Sequence, residues 1–185
     1  VLDSEDERHT FLNVLDVATR FSAFLRIDSK DSGEVAKQFV EHWTNWAGVP
    51  DHIVHDQGGE FFGQFGAMLQ KHGIECTVTA TEAPWQHGLV ERHGQVLGEV
   101  LSVMVDTAQL TGAADMRTGG LLAAICKNRR PDRSGHSARA RVFGCADRLP
   151  GSVIDSLENG EKTVEADAHW RDPILRRTMQ IRAAA

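Results

Sequence analysis

The sequence predicts an α/β fold: a mixed sheet, an antiparallel meander followed by parallel strands, with helices on both faces. Strand-like runs open the chain, strands and helices then alternate, and the later part is mainly helical. The 185 residues are 41% hydrophobic and 25% charged, which is ordinary for a folded globular domain. We expect one domain over residues 1–150, and a tail or the start of another module over 151–185.

The first 50 residues predict the meander and one helix. Residues 3–9 are a polar turn, and residues 10–17 and 21–27 have strand-like sequences. The helix begins near Asp31, where an acid follows three residues after a capping side chain, and ends at Gly48-Val49-Pro50. Apolar residues at helical spacing, which we predict to be core, are Val35, Phe39, Val40, Trp43 and Trp46.

The next part of the chain alternates between strand and helix signals. A buried strand is followed by a glycine turn, an amphipathic helix that Gly73 closes, a second strand and a loop. Two further helices complete the domain. In order, these elements are predicted over residues 52–56, 61–72, 74–78, 79–88, 89–105 and 116–128.

Several classes of protein are disfavoured by composition. No apolar run reaches the roughly 18–20 residues of a membrane helix, so we expect no membrane association. The chain begins at Val1 rather than methionine, so we interpret it as a fragment whose targeting cannot be judged. Cys76, Cys126 and Cys145 are far apart and form no C-x-x-C pair, which predicts buried free thiols rather than a zinc site or a disulfide framework.

The charge is unevenly distributed. The formal net charge is -6, but residues 1–100 carry 16 acids and 7 bases, whereas residues 101–185 carry 10 acids and 13 bases. Eight of these bases lie between Arg117 and Arg148. A basic patch beside an acidic site suits a metal enzyme that acts on a polyanion. A solvated surface with some arginines is an equally good interpretation of the charge alone.

The most informative stretch follows the strand at 52–56. Asp56 ends this strand and is followed by Gln57, Gly58 and Gly59, so the strand can hold the carboxylate while the glycines leave room for a ligand. Glu91 lies 35 positions later, at the start of the predicted helix. Convergent carboxylates can hold two hard cations about 3.5–4 Å apart. By spacing alone, however, two unrelated surface acids are the better interpretation.

Four blocks of this sequence resemble the integrases of retroviruses and long-terminal-repeat retrotransposons. The two signature blocks are Asp-Gln-Gly-Gly-Glu-Phe at 56–61 and Ala-Pro-Trp-Gln-His-Gly-Leu-Val-Glu-Arg at 83–92. Residues 11–22 resemble the second strand of that core, and residues 128–150 resemble the block that closes it. The resemblance therefore covers about residues 1–150 and implies a ribonuclease H-like fold.

The resemblance also implies a set of metal ligands. In that family three acids bind two Mg²⁺ or Mn²⁺ ions, and the motifs make Asp56 the second and Glu91 the third. Asp3 lies at roughly the position of the first acid, but it borders a polar run, so an acid upstream of Val1 is an equal alternative. Asp16 matches a non-catalytic aspartate of the second strand and is the weakest candidate.

The resemblance implies DNA as the partner, with contacts from the loop before Glu91 and from basic residues. These DNA-binding candidates are Gln86, His87, Arg92, His93, Lys127, Arg129 and Arg130. His55 should point to the opposite face of its strand from Asp56, so we do not expect it to be a ligand. Few bases follow Glu91, and Ala138 stands where the family often has proline, so DNA contact is expected to be weakened.

The function implied is metal-dependent trimming of the 3′ end of element DNA, followed by its joining to target DNA. A homodimer or higher homo-oligomer and a nuclear location are implied as well. The alternative is a catalytically inactive module of the same fold that binds DNA or assembles with its own copies. A nuclease acting on RNA–DNA hybrids is disfavoured, because the blocks at 56–61 and 83–92 resemble integrases.

Overall fold

The computed structural model describes residues 1–79 and 84–144, with side chains omitted for 84–87. Expectations for residues 80–83 and 145–150, which include Cys145, and for the tail at 151–185 lie outside this range. The strands are β1 Thr10–Leu15, β2 Ser22–Ile27, β3 His52–His55 and β4 Glu75–Val78. The α-helices are α1 Ser32–Phe39, α2 Asn45–Ala47, α3 Gln64–Lys71, α4 Pro84–Ala108, α5 Gly112–Arg129 and α6 Ala138–Phe143.

The first two strands form the predicted antiparallel hairpin. Thr10 pairs with Ile27 and Leu15 pairs with Ser22, so six residues of each strand are in register. β1 ends two residues earlier than predicted because the Asp16 carboxylate accepts the backbone N–H groups of Ala18, at 3.3 Å, and Thr19, at 3.1 Å. Asp16 therefore shapes a turn, which agrees with the non-catalytic role that the resemblance implies.

Helix α1 begins as predicted and then departs from α-helical geometry. The Asp31 carboxylate accepts the N–H of Gly33 at 2.8 Å and so caps the helix. Residues Val40–Thr44 form a π-helical segment, and Gly48, with φ of 83°, ends the run after α2. Because a π-segment adds a residue to the turn, it changes the phase of the buried face. Trp43 is buried as predicted, but the prediction for Trp46 was wrong, since 43% of it is exposed.

Strands β3 and β4 form the predicted parallel pair. His52 pairs with Glu75 and His55 pairs with Val78. The pair is hydrogen-bonded separately from the hairpin, so the strands of the described residues form two small sheets, one antiparallel and one parallel. All four residues of β4 are exposed, so the prediction of a buried thiol at Cys76 was wrong; Cys126 is also exposed, and both are free thiols.

Two helices start earlier than the sequence predicts. Residues 84–88 are helical rather than loop, because Pro84 occupies the first position of α4, where its missing N–H has no intrahelical partner to lose. Helix α5 begins at Gly112 rather than at the predicted residue 116. The 3-10 turn Gly59–Phe61 and α3 replace the single predicted helix over 61–72.

The chain divides into two compact units, of which the first contains residues 1–15 and 22–124. Its main core joins the hairpin to α4 and α5: Phe24, Leu97, Leu101, Val105, Met116, Ala123 and Ala124 are buried together. The rings of Phe39 and Phe65 meet edge to face, with centroids 6.0 Å apart, where α1 packs on α3. Asp56 and Glu91 both belong to this unit.

The second unit contains residues 16–21 and the described residues from Ile125 onward. Phe21 and Phe143 meet edge to face with centroids 5.9 Å apart, and the Arg139 guanidinium lies 4.9 Å from the Phe143 ring centre. The Ser137 side chain caps α6. Within the described residues of both units, no helix has the length and apolar character needed to cross a bilayer.

Candidate functional site

The Asp56 loop begins at the carboxyl end of the parallel strand pair. Asp56 follows the last residue of β3, and its Oδ1 atom accepts the N–H of Gly58 at 3.0 Å. Asp56 is exposed, whereas His55 beside it is buried. Crevices outside the carboxyl ends of parallel strands are the usual ligand-binding positions of open α/β sheets. The position of Asp56 therefore suits a ligand-binding residue.

Gly58 separates Asp56 from a second carboxylate that the sequence did not single out. A Cβ atom on Gly58 would lie 2.9 Å from Asp56 Oδ1 and 2.8 Å from Glu60 Oε2, both shorter than van der Waals contact. The absent side chain therefore leaves a gap that two carboxylates face. A Cβ atom on Gly59 would meet nothing within 4 Å. The sequence did contain a signal for this second carboxylate, because Glu60 lies in the same motif block as Asp56.

The donors around this gap fit Mg²⁺ or Mn²⁺. Both cations prefer oxygen ligands, and an exposed Asp56 beside a half-buried Glu60 leaves room for the waters that Mg²⁺ retains. Gly58 itself has φ of -57°, which any residue can adopt, so its lack of a side chain matters here more than its backbone freedom. The residues present therefore suit a divalent cation at Asp56 and Glu60.

His55 holds the Asp56 loop in place. Its Nδ1–H donates to the carbonyl of Asp56 at 2.6 Å, and its Nε2 lies 3.1 Å from Cys76 Sγ. The His55 ring also lies 4.9 Å, centre to centre, from Phe61. Both ring nitrogens are engaged within the protein, which agrees with the expectation that His55 is not a metal ligand.

Glu91 lies on α4. Because the helix starts at Pro84, Glu91 is its eighth residue and stands in the third turn rather than in the predicted first turn. Its side chain is exposed, while Leu97 and Leu101 further along the helix are fully buried. Among the described residues, neither Asp56 nor Glu91 belongs to a group of three clustered metal-ligating side chains.

Asp3 occupies a different environment. Its Oδ1 atom accepts the N–H groups of Glu5, at 3.0 Å, and Glu7, at 2.9 Å. Its Oδ2 atom accepts the N–H of Gly112 at 2.8 Å and pairs with His9 Nε2 at 3.1 Å. The hydrogen bond from the Gly112 N–H holds the pKa of Asp3 well below its usual range, and the hydrogen bond from the His9 ring makes the next largest contribution. Four donors thus fill the carboxylate, which is only 4% exposed.

Asp3, Glu7 and His9 also form a cluster of metal-ligating residue types, with ligand atoms within 4.8 Å of one another. The hydrogen bonds argue against metal binding there. Arg26 Nε–H donates to His9 Nδ1 at 3.1 Å, so in the neutral ring the proton is on Nε2 and donates to Asp3. Neither nitrogen then offers a free lone pair. The cluster is a hydrogen-bonded turn that ties the start of the chain to α5.

The predicted DNA-binding residues differ in exposure. Arg92, Arg129 and Arg130 are exposed, and His93 is half-buried. Lys127 is only 9% exposed, and its ammonium donates to the carbonyl of Arg20. Its pKa is lowered to about 8, mainly by burial and to a smaller extent by the positive charge of Arg20. The side chains of Gln86 and His87 lie outside the described part of the chain.

Comparison with known proteins supports the fold. No protein-family profile matches the chain, and no curated protein matches it in sequence. Among solved structures, the catalytic core domain of BIV integrase is similar, with a TM-score of 0.60 and 17% identity. The match covers 72% of this chain and 84% of that one. The chain therefore has a mixed α/β, ribonuclease H-like fold of the kind found in integrase cores.

Proposed function

We propose that this chain is the catalytic core of a retroelement integrase, which processes the 3′ ends of element DNA and joins them to target DNA. The observation that carries the proposal is Asp56 at the carboxyl end of β3, facing the Gly58 gap together with Glu60, on an integrase-core fold. Glu91 on α4 completes the motif pair. Element ends and target DNA are its partners, and a homo-oligomer and a nuclear location belong to the same proposal.

The proposed reaction comprises two displacements at phosphorus. In end processing, water attacks a phosphodiester and a 3′ hydroxyl leaves. In strand transfer, that hydroxyl attacks a target phosphodiester and the 3′ oxygen of the target strand leaves. Two Mg²⁺ or Mn²⁺ ions, when bound, would activate the attacking oxygen and stabilise the leaving one. Asp56 and Glu91 would hold these ions, and His55 keeps the Asp56 loop in place through the Asp56 carbonyl.

The Asp3 carboxylate does not suit the role of the first acid in the proposed trio. Asp3 has all four lone-pair positions of its carboxylate engaged by Glu5, Glu7, Gly112 and His9. Metal ligation by Asp3 would break hydrogen bonds that hold the first turn together. This geometry favours the alternative in which the first acid is not Asp3, and the proposal rests on Asp56 and Glu91.

The test is calorimetric titration of the protein with Mg²⁺ and Mn²⁺, combined with a strand-transfer assay on DNA ends. Asp56→Asn and Glu91→Gln should each abolish strand transfer and weaken metal binding, because each removes a charged oxygen ligand. Retained strand transfer in either variant refutes the assignment of that residue.

A pair of glycine variants sharpens this test. In Gly58→Ala, the new methyl group would occupy the gap between Asp56 and Glu60, so Mg²⁺ affinity should fall with little change in the free energy of unfolding. Gly59→Ala is the matched control, because its methyl group meets nothing within 4 Å. Equal Mg²⁺ affinities for the two variants would argue against a cation at this gap.

The second candidate is an inactive module of the same fold, which binds DNA or assembles with its own copies. The engaged Asp3 carboxylate favours it, because Asp3 is then not available as the first acid of the trio. This candidate predicts DNA binding without magnesium-dependent heat or stabilisation. Under the first proposal, saturating Mg²⁺ raises the free energy of unfolding, since a ligand that binds only the folded state stabilises it.

A further inference from the structure

Asn13 lies in the middle of β1 and contacts the helix that carries Glu91. Its Nδ2 atom donates to the backbone carbonyl of Val90 at 3.3 Å, across 77 residues of sequence. The helix approaches this closely because Gly94 has no side chain: a Cβ atom there would lie 3.3 Å from Asn13 Nδ2. The strand and the helix therefore meet through a polar side chain and a glycine.

An amide side chain is unexpected at position 13. Asn13 pairs across the hairpin with Phe24, so the two side chains share a face, and Phe24 belongs to the core with Leu97 and Leu101. The Oδ1 atom of Asn13 is buried and has no hydrogen-bond partner among the described residues. An apolar side chain would fill the site without an unsatisfied acceptor. Stability alone therefore does not account for an asparagine here.

The contact lies directly beside Glu91. Val90, Gly94, Leu97 and Leu101 fall on one face of α4, and Glu91 is displaced from Val90 by one residue, or about 100° around the helix axis. The apolar contacts of Leu97 and Leu101 hold the helix against the core but are non-directional. A hydrogen bond to the Val90 carbonyl is directional, so it determines how far along the strand this end of the helix sits.

We infer that Asn13 is a positioning residue, which sets the height and rotation of α4 on β1 and thereby the location of the Glu91 carboxylate. This inference rests on the proposed function, since it assigns Asn13 to the metal site through Glu91. It adds a residue of β1 to a site otherwise built from the Asp56 loop and α4.

The experiment compares Asn13→Val with the unchanged chain. Valine removes the hydrogen bond and the unsatisfied oxygen together, so the free energy of unfolding should be equal or higher. Mn²⁺ affinity and the strand-transfer rate should nevertheless fall by about 10-fold or more, as for other residues that orient metal ligands. A purely structural role predicts the opposite: lower stability, with Mn²⁺ affinity unchanged in the folded fraction.

A double-mutant cycle tests whether the effect passes through Glu91. In a Glu91→Gln background, Asn13→Val should cause no further loss of Mn²⁺ affinity, while its effect on stability should persist. Gly94→Ala provides a second route, because its methyl group would press on Asn13 Nδ2; Gly98→Ala, which meets nothing within 4 Å, is the control on the same helix.

The outcomes distinguish a failure of the proposed function from a failure of the inference about Asn13. If Glu91→Gln leaves Mn²⁺ affinity and strand transfer unchanged, the proposed function fails and the inference fails with it. If Glu91→Gln acts but Asn13→Val leaves both quantities unchanged, the inference alone is overturned. A further loss of Mn²⁺ affinity in the double variant would also overturn it, and Gly94→Ala decides the question should Asn13→Val not fold.

Discussion

Asp3 shows how far a residue's role depends on neighbours that the sequence does not reveal. Its position before β1 suggested a first catalytic acid, yet backbone N–H groups and His9 saturate its carboxylate. One of these donors, Gly112, is 109 residues away in the chain, so no local pattern could have revealed the contact. Asp56 and Glu91, in contrast, were predicted from motif blocks that are local in sequence, and their role stays a prediction.

Replacing Asp3 should affect folding rather than metal binding. Asp3→Asn loses charge-assisted hydrogen bonds, so the free energy of unfolding should fall at neutral pH. Because folding lowers the pKa of Asp3, its stabilising contribution is complete above the usual aspartate value of about 3.9 and is lost as the pH falls below it. Urea unfolding of both chains between about pH 3 and pH 7 measures the difference, which should be largest at the upper end.

Glu5, an exposed acid in the same turn as Asp3, provides the control for the Asp3→Asn variant. Glu5→Gln changes the same charge within the same turn, and its side chain is exposed, so its effect on unfolding should be small. The interpretation of Asp3 would be wrong if Asp3→Asn unfolded at the same urea concentration as the unchanged chain but bound Mn²⁺ more weakly. That result would return Asp3 to the metal site.

At the scale of elements, strands and helices were predicted well, but their ends and exposed faces less well. The hairpin, the parallel pair and the long helix carrying Glu91 were all predicted from hydrophobic periodicity and are confirmed. The start of α4 was misplaced because Pro84 reads equally as a loop residue or as a first helical residue. Trp46 was misassigned because nothing in its spacing reveals the π-helical segment before it.

Helices α4 and α5 should respond oppositely to added methyl groups. In α4, Gly98→Ala meets nothing within 4 Å and should stabilise the protein by about 0.5–1 kcal/mol through helix propensity. In α5, a Cβ atom on Gly120 would lie 2.7 Å from the Phe11 ring and 3.1 Å from the Phe24 carbonyl. Gly120→Ala should therefore destabilise the protein by about 1–3 kcal/mol.

Urea unfolding of these two variants tests the packing of α5 on the hairpin. The Phe24 carbonyl is backbone, so it cannot move aside as the end of a flexible side chain could. A Gly120→Ala chain as stable as Gly98→Ala would show that α5 and the hairpin do not approach so closely. The packing of the core formed by Phe24, Leu101 and Met116 would then be incorrect.

For the whole molecule, the fold class followed from the order of elements, and the similarity to the BIV integrase core agrees with it. The geometry of the proposed metal site could not be predicted from the sequence, because it depends on where the Asp56 loop and α4 lie after packing. Glu60 and Asn13 escaped notice for the same reason: their contacts form only through the Gly58 gap and the β1–α4 contact. Such contacts depend on tertiary structure rather than on local pattern.

Under the proposed function, the net charge of -6 makes DNA binding depend on local basic residues rather than on the overall electrostatic field. Arg130 is exposed, so Arg130→Gln should weaken DNA binding and reduce the salt dependence of log K by about 0.9 if it contacts one phosphate. Lys127→Gln should change neither quantity, because that ammonium is buried and donates to the Arg20 carbonyl. DNA binding measured between about 50 and 200 mM salt gives both slopes.

This pair of variants also distinguishes a local site from general attraction. Both substitutions remove a positive charge from the same chain, so a response governed by net charge alone would weaken DNA binding equally. A loss confined to Arg130→Gln would place the DNA beside Arg130, which directly follows α5, whereas an equal loss would mean that DNA binding follows the net charge of the chain. Because the second candidate also allows DNA binding, the slopes locate the nucleic acid while Mg²⁺ titration decides between the two functions.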